Sequence, residues 1–238
     1  MKIVVSSDWH LDHVSHGVPR LPEIGAAAFE VVDYAIAQKA DAFLFLGDLC
    51  DPDSGSSVFR CVSVALEVAR RLSKAGIDSH WIAGNHDVIE DGSGDTTLRP
   101  LMGCADGVSV YERPGRANLV PRSGAVFQLI ALPFTATGFG YDPALEVRRF
   151  RTDKAENMIV AAHLAVPGVE PGEETTELPR GREVVLPVAE IRPYAKTILN
   201  GHYHRQQRSP DGVWIPGSLA RLTFCEERNH PGFLVLEV

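Results

Sequence analysis

The chain has 238 residues, enough for one large domain or two small ones, and 45% of its residues are hydrophobic, as in globular proteins with a substantial core. Its net charge of −8 argues against a broad basic surface that binds nucleic acid unaided. Divalent cations held in a pocket would make the local potential positive, so the net charge does not exclude binding of nucleic acid at such a pocket. We expect one domain over residues 1–238.

Other features of composition bear on location. No apolar run approaches the roughly 18 residues that a membrane-spanning helix needs, and a strand pattern begins directly after Met1. We therefore expect no membrane association, no signal peptide and a cytoplasmic protein. The cysteines share no metal-type spacing and are expected to be reduced; they are Cys50, Cys61, Cys104 and Cys225.

The first part of the chain predicts alternating strands and helices. After a first strand, residues 24–40 have helical composition, and residues 56–74 form a second amphipathic pattern with Gly76 just past its end. Each helix connects two short apolar runs. This order indicates βαβ units with parallel strands.

The second part predicts more strands and fewer helices. Residues 144–156 are the best helical stretch, and residues 90–95 and 167–182 are predicted to be long loops. The strand candidates are residues 126–132, 158–162, 197–199, 213–215 and 233–238. Two sheets packed face to face, with helices outside, would accommodate this mixture. The predicted fold class is therefore α/β.

Five of the short apolar runs end directly in residues that can bind a metal. These residues are Asp8 and His10 after the first run, Asp48 and Asp51 after the second, Asn85 and His86 after the third, His163 after the fourth, and His202 and His204 after the fifth. Open α/β sheets place their sites at the carboxyl ends of strands. The pattern therefore predicts one pocket that gathers these side chains.

The candidate ligands are nitrogen and oxygen donors without a thiolate. They are Asp8, His10, Asp48, Asn85, His163, His202 and His204. Such a set fits two divalent ions that share a bridging carboxylate, and Asp48 is the predicted bridge because its strand lies between the other ligand segments. Two ions so held can activate water and clamp phosphoryl oxygens during in-line attack. The set therefore predicts phosphoester hydrolysis.

The leaving oxygen in such a reaction still needs a proton. His86 directly follows the candidate ligand Asn85, so it points near the metals without necessarily binding one. It is the predicted general acid. Asp51 is the carboxylate predicted to orient its imidazole.

In chain order the motifs are Asp-x-His, Gly-Asp-x-x-Asp, Gly-Asn-His-Asp, a lone His and Gly-His-x-His, over residues 8–204. Together they resemble the calcineurin-like metallophosphoesterase superfamily. The resemblance implies a four-layer αββα sandwich of two mixed sheets with the helices outside. It implies one metal on Asp8, His10, Asp48 and His204, a second on Asp48, Asn85, His163 and His202, a proton donor at His86 and its partner at Asp51.

A narrower resemblance comes from the two ends of the chain. Residues 6–11 and 215–237 are similar to the phosphoesterase domain of SbcD-type DNA-repair nucleases. This implies an exo- or endonuclease that cuts DNA with Mn²⁺ and pairs with an SbcC-type ATPase; Fe, Zn and Mg are alternative metals. The sequence departs from that family at Asp12, where a glycine is frequent. It also stops at Val238, so we expect no capping domain and no ATPase-binding segment.

Alternatives to a nuclease remain open. A phosphodiesterase for small molecules or cyclic nucleotides would use the same motifs. Pro52 after Asp51 disfavours a protein phosphatase, and the complete ligand set disfavours a non-catalytic scaffold. The basic cluster, defined as Arg148, Arg149, Arg151 and Lys154, is either a solvated helix face or a phosphate-contacting surface.

Overall fold

A computed structural model describes residues 1–135, 140–152, 154–170 and 184–238. The strands in these ranges are β1 (Lys2–Ser6), β2 (Val14–Ser15), β3 (Val18–Pro19), β4 (Ala42–Phe45), β5 (Asp78–Ile82), β6 (Val108–Tyr111), β7 (Gly115–Leu119), β8 (Phe127–Leu132), β9 (Met158–Ala162), β10 (Thr197–Asn200), β11 (Gln207–Arg208), β12 (Trp214–Ile215) and β13 (Leu234–Glu237). The α-helices are α1 (Leu21–Ala37), α2 (Ser57–Lys74), α3 (Pro143–Phe150) and α4 (Val188–Ile191).

The strands form two large sheets and one small hairpin. The first sheet has the order β13-β1-β4-β5-β6, with β1, β4, β5 and β6 parallel and β13 antiparallel at the edge. The second has the order β11-β12-β10-β9-β8-β7, with a parallel centre from β12 to β8 and antiparallel edges. Strands β2 and β3 pair only with each other. Both large sheets are mixed, as the family resemblance implies.

Three apolar clusters define the layers. Ile3 and Leu44 of the first sheet pack against Leu129 and Ile159 of the second, so one cluster lies between the sheets. A second cluster joins the outer face of the first sheet to α1 and α2. A third joins the outer face of the second sheet to α3 and α4. This confirms the four-layer αββα arrangement, in which apolar side chains on both faces of the central strands are buried.

The helix predictions hold with shifted ends. Helix α1 begins and ends three residues earlier than predicted, with Pro22 in its first turn, and α2 begins one residue later. The stretch over residues 144–156 divides into α3 and a short 3-10 turn at Ala155–Asn157. None of the helices in these ranges is both long enough and apolar enough to cross a membrane.

Some strands and loops differ from the sequence-based expectation. Strands β6 and β7 were not predicted; both are only partly buried, so their apolar pattern is weak. The predicted loop at residues 90–95 is confirmed as a turn region between the bridged residues Val88 and Thr96. Most of the loop predicted at residues 167–182 lies outside the described residues.

Candidate metal centre

The candidate ligands lie at the carboxyl ends of five parallel strands. Three of these strands, β1, β4 and β5, belong to the first sheet, and two, β9 and β10, belong to the second. The two sheet edges meet at this point, because the backbone N–H of His202 donates to Asp8 Oδ1 at 3.0 Å. The predicted pocket therefore forms between two sheets rather than along one.

The side chains converge as two triads. Asp8, His10 and His204 can each offer one ligand atom within 4.8 Å of the others, and so can Asp48, His163 and His202. Oδ2 of Asp48 lies 3.3 Å from His163 Nε2 and 3.7 Å from His10 Nε2, so this oxygen faces both triads. Asn85 joins the second triad.

The amide oxygen of Asn85 lies 2.9 Å from His163 Nε2 and 2.9 Å from His202 Nδ1. The structure therefore brings all seven sequence-predicted ligands together. Asp48 belongs to the second triad and also faces His10 of the first, which is the arrangement that a shared bridging carboxylate requires.

Backbone geometry is unusual at these positions. Among the described residues, six non-glycine residues have positive φ, and Asp8, His10, Asp48 and His202 are four of them. Such conformations are uncommon outside glycine and concentrate at functional sites. Here they turn the chain sharply at the end of a strand, which directs the side chain into the space between the sheets.

The glycines of the motifs allow close packing around the ligands. A Cβ atom at Gly84 would overlap the Asp48 carboxylate, and one at Gly201 would overlap the backbone carbonyl of Leu46. Any larger residue at these points would separate the strand ends. The motifs therefore need glycine at these positions for steric reasons, in addition to the ligand residues that they need for chemical ones.

Hydrogen bonds fix the tautomers of two histidines. His163 Nδ1 lies 2.6 Å from the Leu46 carbonyl oxygen, and His204 Nδ1 lies 2.6 Å from Glu226 Oε1. These oxygens accept hydrogen bonds, so each Nδ1 carries a hydrogen and donates it. Nε2 of each ring then faces the pocket, and it is the nitrogen that can bind a metal once its proton is displaced.

Two further observations fit a metal ion in the first triad. Asp8 Oδ2 is buried and has no hydrogen-bond partner among the residues that the structure describes. The Nε2 atoms of His10 and His204 face each other at 3.0 Å. An unpartnered buried carboxylate oxygen is costly unless a cation lies beside it, and the two facing imidazole nitrogens can either share a proton or bind the same cation. The residues present therefore fit the predicted metal.

Electrostatics in the pocket follow from burial and close charges. Burial would raise the pKa of Asp48, but the neighbouring His163 outweighs it and holds that pKa well below its usual value. Burial likewise opposes the charged form of His163, but Asp48 raises its pKa to about 9. Burial raises the pKa of Asp8 to about 6. The buried carboxylates thus stabilise positive charge on their neighbours, and a bound metal ion could take the place of the proton on His163.

The predicted proton donor lies beside the first triad. The ring centroid of His86 is 5.0 Å from that of His10, and its Nδ1 is 3.6 Å from Asp51 Oδ2. The His86 side chain is 42% exposed, so an incoming substrate can reach it. Its backbone N–H donates to Asp48 Oδ1 at 2.8 Å, which fixes the start of this turn against the metal centre.

Comparison with known proteins supplies the family. The family model described as calcineurin-like phosphoesterase matches residues 1–206. The chain belongs to this family. It is accordingly a metal-dependent phosphoesterase, and its clustered histidines and aspartates fit two divalent metal ions.

Individual relatives are more distant. The SbcD subunit of the SbcCD nuclease of Escherichia coli (strain K12) is 23% identical over 94% of this chain, and the chain spans only 60% of the length of that relative. Among solved structures, TT1561 of Thermus thermophilus superposes with a TM-score of 0.53 at 16% identity, covering 91% of this chain and 89% of the other. A dimetal phosphatase from Danio rerio superposes with a TM-score of 0.50 at 11% identity, covering 99% and 91%. These two similarities support the fold.

Two carboxylates that support the phosphoesterase site were missed by the sequence analysis. Glu226, in a 3-10 turn near the C-terminus, is buried against His204. Asp87, the last residue of the Gly-Asn-His-Asp motif, is also buried. Neither residue lies within an apolar run, so no local pattern indicates its burial, but the position of Asp87 inside a ligand motif was a usable signal.

Asp87 ties two ligand loops together. Its carboxylate accepts hydrogen bonds from the backbone N–H groups of Asp48, Leu49 and Gly84 and from the hydroxyl of Thr97. The three backbone donors lie on the loops that follow β4 and β5. Asp87 therefore sets the position of Asp48 relative to the Asn85 turn.

Asp12, where SbcD-type sequences frequently have glycine, also has a local partner. Its carboxylate accepts a hydrogen bond from the Ser54 hydroxyl. This contact connects the first ligand loop to the segment that carries Asp51. The departure leaves the candidate ligands in place.

Other residues near the motifs are structural. Trp9 is fully buried, its indole N–H donates to the Ser6 hydroxyl at 2.8 Å, and its ring packs against Phe45 and Trp81. The hydroxyl of Tyr203 lies 2.9 Å from the Val166 backbone nitrogen, on the side of the third apolar cluster. Both side chains therefore contribute to packing.

The basic cluster is not near the metal centre. Thr152, which lies within its span, exchanges hydrogen bonds with Gln128 near the start of β8, whereas the ligands follow the ends of the strands. Arg148 pairs with Glu190 and Arg149 with Glu146. These ion pairs, and the direction of α3, which carries its last turn to the edge opposite the ligands, favour the solvated helix face over the phosphate-contacting surface.

Proposed function

We propose that this chain hydrolyses phosphodiester bonds of DNA, using two divalent metal ions held by the seven candidate ligands. The observation that carries the proposal is the meeting of two triads at Asp48, with His86 beside them. When bound, two such ions would activate water and neutralise charge on the phosphoryl oxygens. The similarity to a nuclease subunit supports DNA as the substrate.

The protein's own residues have separate roles in this proposal. Asp8 and His10 lie with His204 in the first triad, and His163 and His202 lie with Asp48 in the second. His86 holds a proton on its imidazole and delivers it to the leaving oxygen, and Asp51 orients the ring. Glu226 and Asp87 position ligands through the hydrogen bonds described above.

Mn²⁺ is the proposed metal. The donors are imidazoles, carboxylates and an amide, a set that Mn²⁺ accepts and that does not select the softer metals. Iron, zinc and magnesium are compatible with parts of the same set. The chain is saturated with each ion in turn, excess metal is removed, and the number of ions retained per chain is compared between the metals.

A second candidate function is hydrolysis of small nucleotide diesters. Two observations favour it: the chain has a net charge of −8, and its basic cluster lies at the edge opposite the metal centre. A long DNA molecule would then have few basic side chains to contact beside the site. A small diester needs only the metal centre and its immediate walls.

One assay separates these proposals. The purified chain is incubated with linear double-stranded DNA, single-stranded DNA or bis-p-nitrophenyl phosphate, with Mn²⁺ or with EDTA. We expect Mn²⁺-dependent cleavage of DNA that weakens as salt increases, because contacts are directed at phosphates. An Asp48→Asn variant purified in parallel controls for contaminating nucleases. Hydrolysis of the small diester with every DNA form intact would favour the second candidate.

Pairing with an SbcC-type ATPase is a separate proposal. It rests on the name of the SbcCD relative, of which this chain spans 60%. Copurification of this chain with an ATPase of that type, expressed together, is the direct test.

A further inference from the structure

A cavity of about 560 Å³ lies between the segment that follows the first ligand motif and the C-terminal part of the chain. Residues 13–16, which include β2 of the hairpin, make one wall together with Arg20, and residues 221–225 make the other together with Glu227. Both walls continue directly into the site. The backbone N–H of His13 donates to the His10 carbonyl at 2.9 Å, and Glu226 at the other end bonds His204. None of the lining residues is a candidate ligand, but the lining residue Leu222 donates its backbone N–H to Glu226, which bonds His204, so two hydrogen bonds connect the cavity wall to the first triad.

The lining of this cavity is apolar and aromatic where it is most open. The Phe224 side chain is 82% exposed, which is unusual for a phenylalanine next to an active site. Val14 on the facing hairpin is also exposed, and the His16 ring lies 5.5 Å from the Phe224 ring, centroid to centroid. A flat ring placed on Phe224 would cover apolar surface that water now contacts.

Polar groups in the walls suit a nucleotide. Arg221 donates from Nε to the Asn229 carbonyl at 3.0 Å, and no carboxylate within the described ranges lies at ion-pair distance from it. Glu227, a carboxylate in the lining, lies 3.9 Å from Arg228. The walls thus offer a cation for a phosphate.

We propose that this cavity is a nucleobase subsite, in which the base next to the scissile phosphate stacks on Phe224. The inference rests on the proposed phosphodiester hydrolysis and specifies its substrate class: nucleotide diesters are preferred over diesters without a base. The cavity volume falls within the range of small-molecule sites, which is about 300–1,000 Å³. Stacking of a base on an aromatic side chain tolerates every base, so the subsite gives a preference for nucleotides without sequence specificity.

The first test measures binding without turnover. Thymidine 5′-monophosphate and deoxyribose 5-phosphate are titrated by calorimetry into the Mn²⁺-loaded chain. These probes share the phosphate and differ in the base. We expect the nucleotide to bind about 10-fold more tightly, within the range measured for one base–aromatic stack. Phe224→Ala should remove this difference, and Phe224→Trp should retain it.

Phe59 provides a matched control. Its side chain is 77% exposed on α2 and does not line the cavity, so Phe59→Ala should leave the difference between the two probes unchanged. Equal binding of both probes by the unmodified chain would overturn the proposal. So would an equal loss for both probes in Phe224→Ala, because that result indicates a general disturbance or a partner surface.

The second test separates the subsite from the hydrolase. The chain is assayed on a dinucleotide and on the same backbone with abasic tetrahydrofuran residues, and on a longer single strand of each kind. Cleavage of both kinds at equal kcat/KM would overturn the subsite and leave hydrolysis standing. A base-dependent difference in binding with no cleavage of any diester would overturn hydrolysis and leave the subsite standing. Comparison of kcat/KM for the dinucleotide and for the longer strand then shows whether the site prefers short nucleotide diesters or DNA.

Discussion

His204 is held by Glu226, a residue that follows it by 22 positions and lies beyond the part of the chain matched by the family model. The distance from His204 Nδ1 to Glu226 Oε1 is 2.6 Å, and Glu226 Oε2 also accepts the Leu222 N–H at 2.6 Å. Burial would lower the pKa of His204, but this hydrogen bond raises it. The C-terminal segment therefore orients a candidate metal ligand.

Replacing Glu226 should weaken metal binding. We expect Glu226→Ala to lower Mn²⁺ affinity by about 10- to 100-fold, the range for partners of metal-binding histidines. Glu226→Gln should lose less, because its amide oxygen can still accept from His204. Calorimetric titration with Mn²⁺ measures the effect. Glu227→Gln, at the exposed neighbouring position, is the control; an equal loss in this variant would contradict the assignment.

Asp48→Asn should weaken both metal sites together. The substitution removes a negative charge that faces both triads, and asparagine tolerates the positive φ of 60° at this position. We expect the unmodified chain to hold two Mn²⁺ ions and the variant to lose both, as measured by metal analysis after removal of excess. Asp78→Asn, at the start of β5 and so at the other edge of the sheet, should bind as the unmodified chain does. A variant that loses only one ion would argue against a bridge.

His86→Gln should reduce turnover while metal binding stays largely intact. A lost general acid costs about 10²- to 10⁴-fold in rate. The loss should be larger for a diester with an alkoxide leaving group than for one with p-nitrophenolate, which departs without a proton. The measurement is kcat for both substrates, with His230→Gln, at an exposed position, as control. Equal losses on the two substrates would rule out proton donation as the role of His86.

Neutralising the basic cluster should not impair DNA cleavage. The combined change Arg148→Gln, Arg149→Gln and Arg151→Gln removes charge at the edge opposite the metal centre, where Arg151 stacks over the Tyr194 ring at 4.4 Å. We expect kcat/KM on DNA to stay within about 2-fold at moderate salt, because screening limits charge effects to about 10 Å. Arg221→Gln, in the proposed cavity, serves as the comparison and should reduce kcat/KM on DNA more than the triple change does. A large loss of kcat/KM in the triple variant would instead show that DNA contacts the arginines at the edge opposite the metal centre.

His80 should make the folded state less stable as the solution becomes acidic. Burial lowers the pKa of His80 from 6.5 to about 4, its Nδ1 lies 3.1 Å from the Tyr111 hydroxyl, and its Nε2 has no hydrogen-bond partner within the described ranges. Between those two pKa values the unfolded state binds the proton and the folded state does not. The free energy of unfolding therefore falls as pH decreases through this window, by about 2 kcal/mol between pH 7 and pH 5 from this group alone.

The variant His80→Gln tests that contribution. Glutamine can still hydrogen-bond Tyr111 and does not titrate, so the free energy of unfolding should depend less on pH than in the unmodified chain. Denaturant unfolding at pH 5, 6 and 7 in EDTA compares the two proteins. Parallel pH profiles would show that His80 is not responsible.

The sequence by itself determined which residues could bind metals and where they lie on the strands. A β-strand buried on both faces is a local apolar run, and a parallel sheet brings the carboxyl ends of such strands to one edge. For this reason the pattern in residues 8–204 predicted both the α/β layers and the convergence of Asp8, Asp48, Asn85, His163 and His202. Local periodicity was also sufficient for α1 and α2.

Only the tertiary structure decided the contacts between distant segments. It brought Glu226 to His204, placed Asp87 among the donors of two loops, and carried the basic cluster to the opposite edge. These outcomes depend on how two sheets pack and on the direction in which α3 runs. Neither property is encoded in the periodicity of a single segment, because the energy of a long-range hydrogen bond depends on partners that the whole fold brings together.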